Sequence, residues 1–530
     1  MFRDTLVVAI GTAMSRLTGL LRVVVFGVII GQTALADAFD GANNSPNSIY
    51  ELLVGGLLAA SLVPMFTRFA EDDDQDSTDT VISTSLFILA VATIVAVVAA
   101  PLIFRLYSLQ PSVLVDADEF RRAGTLMARV CLIQIFFYGL SAIGSALLNS
   151  RRHFFAAAWS PVLSNIVTIT LLLVIPFTRD GTPELQDVID SPTFFWLFTM
   201  SATAGVMAMG LILIPAMKRA AIPFRFRFRP SFSHPAVRQM VKLSSWTFGY
   251  VVTNQVSLIV IKNLAEPGSG NQDAYSKAFI FFMLPHGLLA ISIATTFVPE
   301  LVRRVRAGDP AGFAQWMTSG VRWIGVLTIP SSVAIVVMSQ PIISALLEHG
   351  NFTSIATENT ARALAGFSVG LLGFSLYIFC LRGFYAHEDT RTPFMVNLFQ
   401  NALNIVLALV LVDRYEVLGL GLAFGLSYMI AAGVVLALLH SKYRAVLWLN
   451  MVSLLWRAVT ASAVMGVVVW AIETVLKPQS DLAQLAELFL TTAAGFVTYA
   501  AGLWILRVPE MANLRGLLPR RSTDVGASLD

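Results

Sequence analysis

Between Met14 and Phe66 the chain reads MSRLTGLLRVVVFGVIIGQTALADAFDGANNSPNSIYELLVGGLLAASLVPMF. The pattern predicts two apolar helices joined by a turn near Gly31 to Ala34. Both carry polar groups where a bilayer span ordinarily has none. Arg16 and Arg22 lie in the first; Asp37, Asp40, Asn44, Asn47 and Glu51 follow in the second, spaced 3, 4, 3 and 4 apart. That spacing places all five on one helical face. A polar stripe inside an apolar span is costly, and is tolerated where it faces a wet cavity or a bound polar group. Arg16 and Arg22 are six residues apart, so a straight helix turns them about 120° from each other. Gly19 between them is a site where a bend would bring both to one cavity. The alternative for Arg16 is snorkelling to the near interface, and for Glu51 pairing with a cation.

Outward from this stretch, composition fixes the class. The 530 residues are 56% hydrophobic and 13% charged, with mean hydropathy +0.72. Soluble domains carry about 25% charged residues. Repeated apolar runs near 20 residues predict an all-α polytopic membrane protein rather than a barrel. Fourteen spans are expected, near 5–30, 34–66, 80–105, 124–149, 156–176, 194–216, 237–262, 275–299, 316–338, 358–386, 394–412, 417–439, 453–476 and 485–507. The second is too long for a straight crossing, since its length reaches ~50 Å against a ~30 Å hydrocarbon core. Pro46 is where it should kink or break. The N-terminus lacks an A-x-A cleavage pattern and reads as a retained helix. Cys131 and Cys380 fall inside apolar spans and read as packing residues.

Of the 36 lysines and arginines, 22 fall in one alternating set of loops, 6 in the other, and 8 within or near spans, Lys262 and Lys277 among the last. The positive-inside rule then places both termini in the cytoplasm. The chain also repeats itself. Leu62-Val63-Pro64 recurs as Phe297-Val298-Pro299, and Pro161 with Asn165 recurs as Pro393 with Asn397, offsets of 235 and 232 residues. Each offset equals six spans, so the repeat is parallel: two six-helix lobes, a layout that transporters use to bind substrate between lobes. The expected organisation is an N-lobe at 1–217, a basic linker at 218–242 running into the seventh helix, and a C-lobe at 237–440. Two further helices follow at 450–507, then a short cytoplasmic tail at 508–530. The linker reads as a positive-inside segment on anionic lipid.

These residues carry a resemblance. Ser15-Arg16, Gly19-Leu20-Leu21-Arg22, Ala36-Asp37-Ala38-Phe39, Pro46-Asn47, Leu284-Pro285-His286-Gly287 and Gly350-Asn351-Phe352-Thr353 all contribute, and the run from Gly383 to Pro393, GFYAHEDTRTP, is the longest piece. The chain resembles the MurJ (MviN) family of lipid II flippases, in the multidrug/oligosaccharidyl-lipid/polysaccharide exporter superfamily. The resemblance implies two lobes around a cationic cavity, alternating access, and a lipid-tail groove formed with the last two helices. It implies lipid II, an undecaprenyl-pyrophosphate-linked disaccharide-pentapeptide, as substrate, in a bacterial inner membrane. Surrounding lipids and cell-wall synthesis proteins are the implied partners; nucleic acid and cofactors are not. The chemistry agrees, because guanidinium groups bind pyrophosphate oxygens in bidentate fashion.

On this reading Arg16, Arg22, Asn47 and Lys277 are the expected substrate-binding residues. Asp37 and Glu51 are expected gate residues, and Asp389 and Arg391 a structural loop clamp. Asp37 is expected to close the outer entrance by pairing with a cation. The chain departs from the family pattern twice. Tyr50-Glu51 stands where a basic pair often follows Pro-Asn, and Ile280 stands at a position usually held by an arginine, with Lys277 the nearest cation.

Other chemistry is absent from the pattern. Gly366-Phe367-Ser368-Val369-Gly370 spells a nucleophile elbow but lies within an apolar helix. The six histidines show no metal spacing, and no Gly-Lys-Ser/Thr phosphate loop occurs, so neither a metal site nor ATP hydrolysis is expected. The competing readings are an exporter of another polyprenyl-linked glycan or small molecule, and a non-transporting cell-wall scaffold. Arg16 and Arg22 disfavour a cationic-drug exporter, which wants a carboxylate-dominated cavity.

Overall fold

The computed structural model describes residues 2–52, 62–179, 181–222, 245–476 and 480–508, and all regular structure among them is helical. In the first half of the chain the helices are α1 (Phe2–Ile30), α2 (Ala34–Tyr50), α3 (Leu62–Glu71), α4 (Gln75–Val98), α5 (Ala100–Leu106), α6 (Ala117–Cys131), α7 (Gln134–Ser150), α8 (Phe154–Val174), α9 (Leu185–Asp190), α10 (Pro192–Leu211) and α11 (Leu213–Arg219). The second half adds α12 (Ser245–Leu264), α13 (Asn271–Pro285), α14 (Ile291–Arg306), α15 (Pro310–Leu347), α16 (Ser354–Val369) and α17 (Leu371–Ala386). It ends with α18 (Arg391–Tyr443), α19 (Trp448–Val475) and α20 (Asp481–Ile505).

Ten helical segments among the described residues are long and apolar enough to cross a membrane, or eleven if α16 and α17, bent by 48° at Gly370, form one span. Several expected boundaries merge or break. The expected spans 394–412 and 417–439 form the two arms of α18, which meet at Glu416 in a left-handed backbone conformation (φ 51°). The expected second span continues helically through Pro46 to Tyr50, and its stretch 53–61 lies outside the described residues. Proline removes only one ladder hydrogen bond, and neighbouring helices compensate for it in a membrane bundle. The basic linker also lies outside the described residues, apart from its first five.

The helices form two compact units. One comprises residues 1–284, 346–367 and 389–427; the other comprises 285–345, 368–388 and 428–530. The first unit is cored by Ile30, Leu35, Phe66, Phe104, Phe120, Cys131 and Phe198, all under 3% exposed. It also buries an aromatic block in which Phe367 lies 5.6 Å from Phe282 and 5.1 Å from Phe424. In the second unit α15, α19 and α20 pack through Val326, Leu454, Met465 and Leu503, and the Tyr499 hydroxyl donates to the Val326 carbonyl at 2.6 Å. In the loop after α14, Asp309 accepts from the Gly312 N–H and from Arg304, each at 2.8 Å. Those two donors, the backbone N–H first, hold its carboxyl below the usual range.

The two asparagines singled out by the repeat sit equivalently. Asn165 on α8 donates to the Ser15 carbonyl and the Thr18 hydroxyl of α1, at 3.1 and 3.0 Å. Asn397 on α18 donates to Asn254 of α12 at 2.9 Å. Each amide pins the first long helix of its own half of the sequence.

Candidate functional site

The site is built on the junction of α1 and α2. α1 ends at Ile30 because Gly31 takes a left-handed conformation (φ 77°) and its N–H closes back onto the Gly27 carbonyl at 2.8 Å. A Cβ there would lie 2.5 Å from the Asn351 carbonyl oxygen, so only glycine fits. Asn351 satisfies the open end of α1: its N–H donates to the Val28 carbonyl at 2.9 Å and its amide to the Ile29 carbonyl at 2.6 Å. Thr33 then caps α2, accepting from the Ala36 N–H at 3.2 Å.

The first turn of α2 is buried, and Asp37 is 0% exposed. Its carboxylate accepts three backbone N–H groups, from Gly268 at 2.9 Å and from Gly270 and Asp273 at 2.8 Å each. The structure thus corrects the expected pairing of Asp37 with a cation. In this arrangement the partner is the N-terminal end of α13 and the loop before it, whose orphan donors suit an anion. Gln32 reinforces the contact, donating to the Gly270 carbonyl at 2.9 Å.

Further along the same face of α2, Asp40 receives the Lys262 ammonium at 2.5 Å and the Asn44 amide at 2.8 Å. Glu51 accepts from Gln255 at 2.7 Å and from the side chain of Asn47 one turn earlier. Asn47 itself is exposed. α12 therefore runs antiparallel to α2, with Lys262 opposite Asp40 and Gln255 opposite Glu51. The stripe read from the sequence is a polar seam between the two halves of the chain. Lys262 and Gln255 were not among the expected site residues. The available signal was a lysine inside the expected seventh span, which only a partner on another helix makes interpretable.

Lys277 lies close by, 3% exposed, ion-paired with Asp273 on the preceding turn of α13. Its ammonium stands 5.0 Å above the ring of Phe26 and 5.5 Å from that of Phe352. Phe26 stacks on Phe39 at 5.4 Å, and Phe39 packs on Phe198 at 4.6 Å. Arg22 lies one turn before Phe26 on the same face of α1.

Arg22 is half-buried and within electrostatic reach of Tyr138, whose ring lies 5.3 Å from that of Tyr50. Among the described residues neither Arg16 nor Arg22 forms an ion pair. A Cβ at Gly19 would lie 3.6 Å from the Asn165 amide, so α8 approaches α1 between the two arginines. The structure thus places Asp37, Asn47 and Glu51 along α2 and its C-terminal cap, Lys277 on α13, and Arg16 and Arg22 on α1. It places Asp389 and Arg391 at the start of α18. There Asp389 accepts from the Thr392 N–H at 3.0 Å and from its hydroxyl at 2.7 Å, the geometry of a helix cap, while Arg391 is exposed. Among the described residues no cluster of His, Cys, Asp and Glu is placed to hold a metal ion.

The family model described as "Lipid II flippase MurJ" matches residues 26–490. A probable lipid II flippase MurJ of Rhizobium meliloti is 28% identical over 98% of this chain and 95% of its own length. The lipid II flippase MurJ of Burkholderia cenocepacia is 27% identical over 74% of this chain and 75% of its own. Among solved structures, a lipid II flippase MurJ in an inward closed conformation superposes with a TM-score of 0.76 at 21% identity, covering 94% of this chain and 99% of that one. An inward-facing multidrug MATE transporter of the MOP superfamily superposes at 0.60 with 13% identity, over 82% and 98%. The matched model spans most of the sequence, from the last turns of α1 onward and including the polar face of α2, and this chain belongs to the MurJ lipid II flippase family.

Proposed function

We propose that this protein moves lipid II from the cytoplasmic to the outer leaflet by alternating access, as a transporter and not an enzyme. The observation that carries the reading is the contrast among its intramembrane cations. Lys262 and Lys277 are each bound by a carboxylate, whereas Arg16 and Arg22 have no ion pair among the described residues. A guanidinium held in a membrane bundle without a carboxylate is costly unless an anionic ligand visits it. The pyrophosphate of a polyprenyl-linked sugar is such a ligand, and guanidinium geometry matches it.

In this reading Arg16 and Arg22 take the pyrophosphate, and Asn47 and Lys277 serve the headgroup when the seam of α2, α12 and α13 parts. Asp37 and Glu51 belong to the gate. The fourteen-span organisation supplies the frame: an N-lobe at 1–217, a C-lobe at 237–440, and a final helix pair at 450–507 that shelters the lipid tail. Both termini are cytoplasmic, so the turn between α1 and α2 lies at the outer face, and the described arrangement is closed there. Cell-wall synthesis proteins are the natural partners of the delivered product.

The test is depletion of the protein in cells, with lipid II then located in each leaflet. Accumulation in the inner leaflet, reversed by the wild type and not by Arg22→Ala, is the expected result. Normal delivery of lipid II on depletion, with accumulation of another polyprenyl-linked glycan, would replace the substrate. Unchanged leaflet distributions together with mislocalised cell-wall enzymes would replace transport by a scaffold role.

A further inference from the structure

Lys262 is 2% exposed, and an ammonium has three N–H donors. All three find acceptors: Asp40 on α2, and the Gln272 carbonyl and the Ser276 hydroxyl on α13. Asp40 is held for this contact by the Asn44 amide at 2.8 Å. Gln272 is fixed in turn, donating to the Lys262 carbonyl at 2.7 Å and to the Tyr107 carbonyl at 3.0 Å. The Lys277–Asp273 pair lies within one helix and survives any motion of that helix. The Lys262–Asp40 pair joins residues 222 apart, on opposite halves of the sequence. It therefore breaks whenever α2 separates from α12.

We propose that Lys262 and Asp40 are the electrostatic lock of the outer closure: positioning residues whose pairing holds the closed state and whose separation accompanies opening. This rests on the alternating-access reading above. The physical signature is asymmetric. Removing one partner leaves the other charge buried and unpaired in the closed state alone, whereas water reaches it once the seam opens. Single neutralisation therefore shifts the population towards the open state. Exchanging the two charges restores the pair and shifts it back.

The experiment places a reporter cysteine at Ala38, which is 0% exposed in the closed arrangement, and labels it in spheroplasts with a membrane-impermeant maleimide. Cys131 and Cys380 are both buried, and the chain without the reporter gives the background. Labelling is expected to quicken about tenfold in Asp40→Asn and in Lys262→Gln, within the usual range of conformational coupling. In the exchange variant Asp40→Lys with Lys262→Asp it returns to within about twofold of the parent. Membrane abundance is measured alongside. If both single variants fail to accumulate and the exchange variant accumulates, the pair is confirmed by rescue. Unchanged labelling in accumulating single variants, an exchange variant no better than the singles, or loss of all three from the membrane would overturn the lock. Lipid II leaflet distribution, read on the parent chain alone, tests the transport reading separately, so failure of one is distinguishable from failure of the other.

Discussion

α1 and α12 open the two halves of the chain and are pinned by equivalent asparagines, yet their polar residues are used in opposite ways. On α12, Lys262 is saturated by acceptors and Gln255 is bound to Glu51. On α1, Arg16 and Arg22 have no carboxylate partner among the described residues, and Arg22 lies within electrostatic reach of Tyr138. On the proposed reading the two halves use their first helices differently, one to build a closure and one to offer charge to a ligand. The difference teaches that an intramembrane cation is not functional merely by being there; what it is bonded to decides its role.

The comparison breaks first at Arg22. Arg22→Ala is expected to abolish complementation at native expression while membrane abundance stays normal. Losing a buried charge-assisted contact costs about 2–5 kcal/mol, or roughly thirty- to several-thousand-fold in transport. Normal growth on this variant would dissolve the distinction between free and tied cations. Lys277→Met should differ from it in stability. It strands Asp273 in the interior and lowers the unfolding free energy by about 3–5 kcal/mol, read as a fall in the detergent unfolding midpoint that Arg22→Ala does not share. Equal midpoints for the two variants would mean that the Lys277 pair is not a structural bond.

Asp37→Asn sharpens the comparison on the gate side. The amide keeps one acceptor oxygen but turns its NH2 group toward the donors of the other, either Asp273 or Gly268 and Gly270. The closed state loses about 1–3 kcal/mol relative to the open one, so flipping slows about five- to 150-fold while lipid II binding, followed by native mass spectrometry, remains nearly intact. Binding lost as fully as flipping would place Asp37 on the substrate instead. Gly31→Ala probes the same junction without charge. Its positive φ and the Asn351 carbonyl leave no room for a methyl group, and a cost of about 1–3 kcal/mol is expected in the unfolding midpoint. Asp389→Ala, at the start of α18, should lose a helix cap, about 1 kcal/mol, with transport retained. A transport defect there exceeding the stability loss would extend the site to α18.

Much of this was legible in the chain. Composition and run length determined an all-helical membrane protein, the repeat offsets identified Asn165 and Asn397 as a matched pair, and the 3-4-3-4 stripe identified the face of α2 that matters, because periodicity and hydropathy are local properties written residue by residue. The motif residues placed the chain in its family for the same reason. What only the tertiary structure decided was partnership. That Asp37 meets backbone N–H groups, that Asp40 meets Lys262 and that Asn351 finishes α1 all depend on which segments approach one another. Two of these contacts span more than 200 residues and a third more than 300. Inside a bilayer the energy of a charge is set by its nearest partner, and partners so distant along the chain are chosen by packing, which no local pattern records.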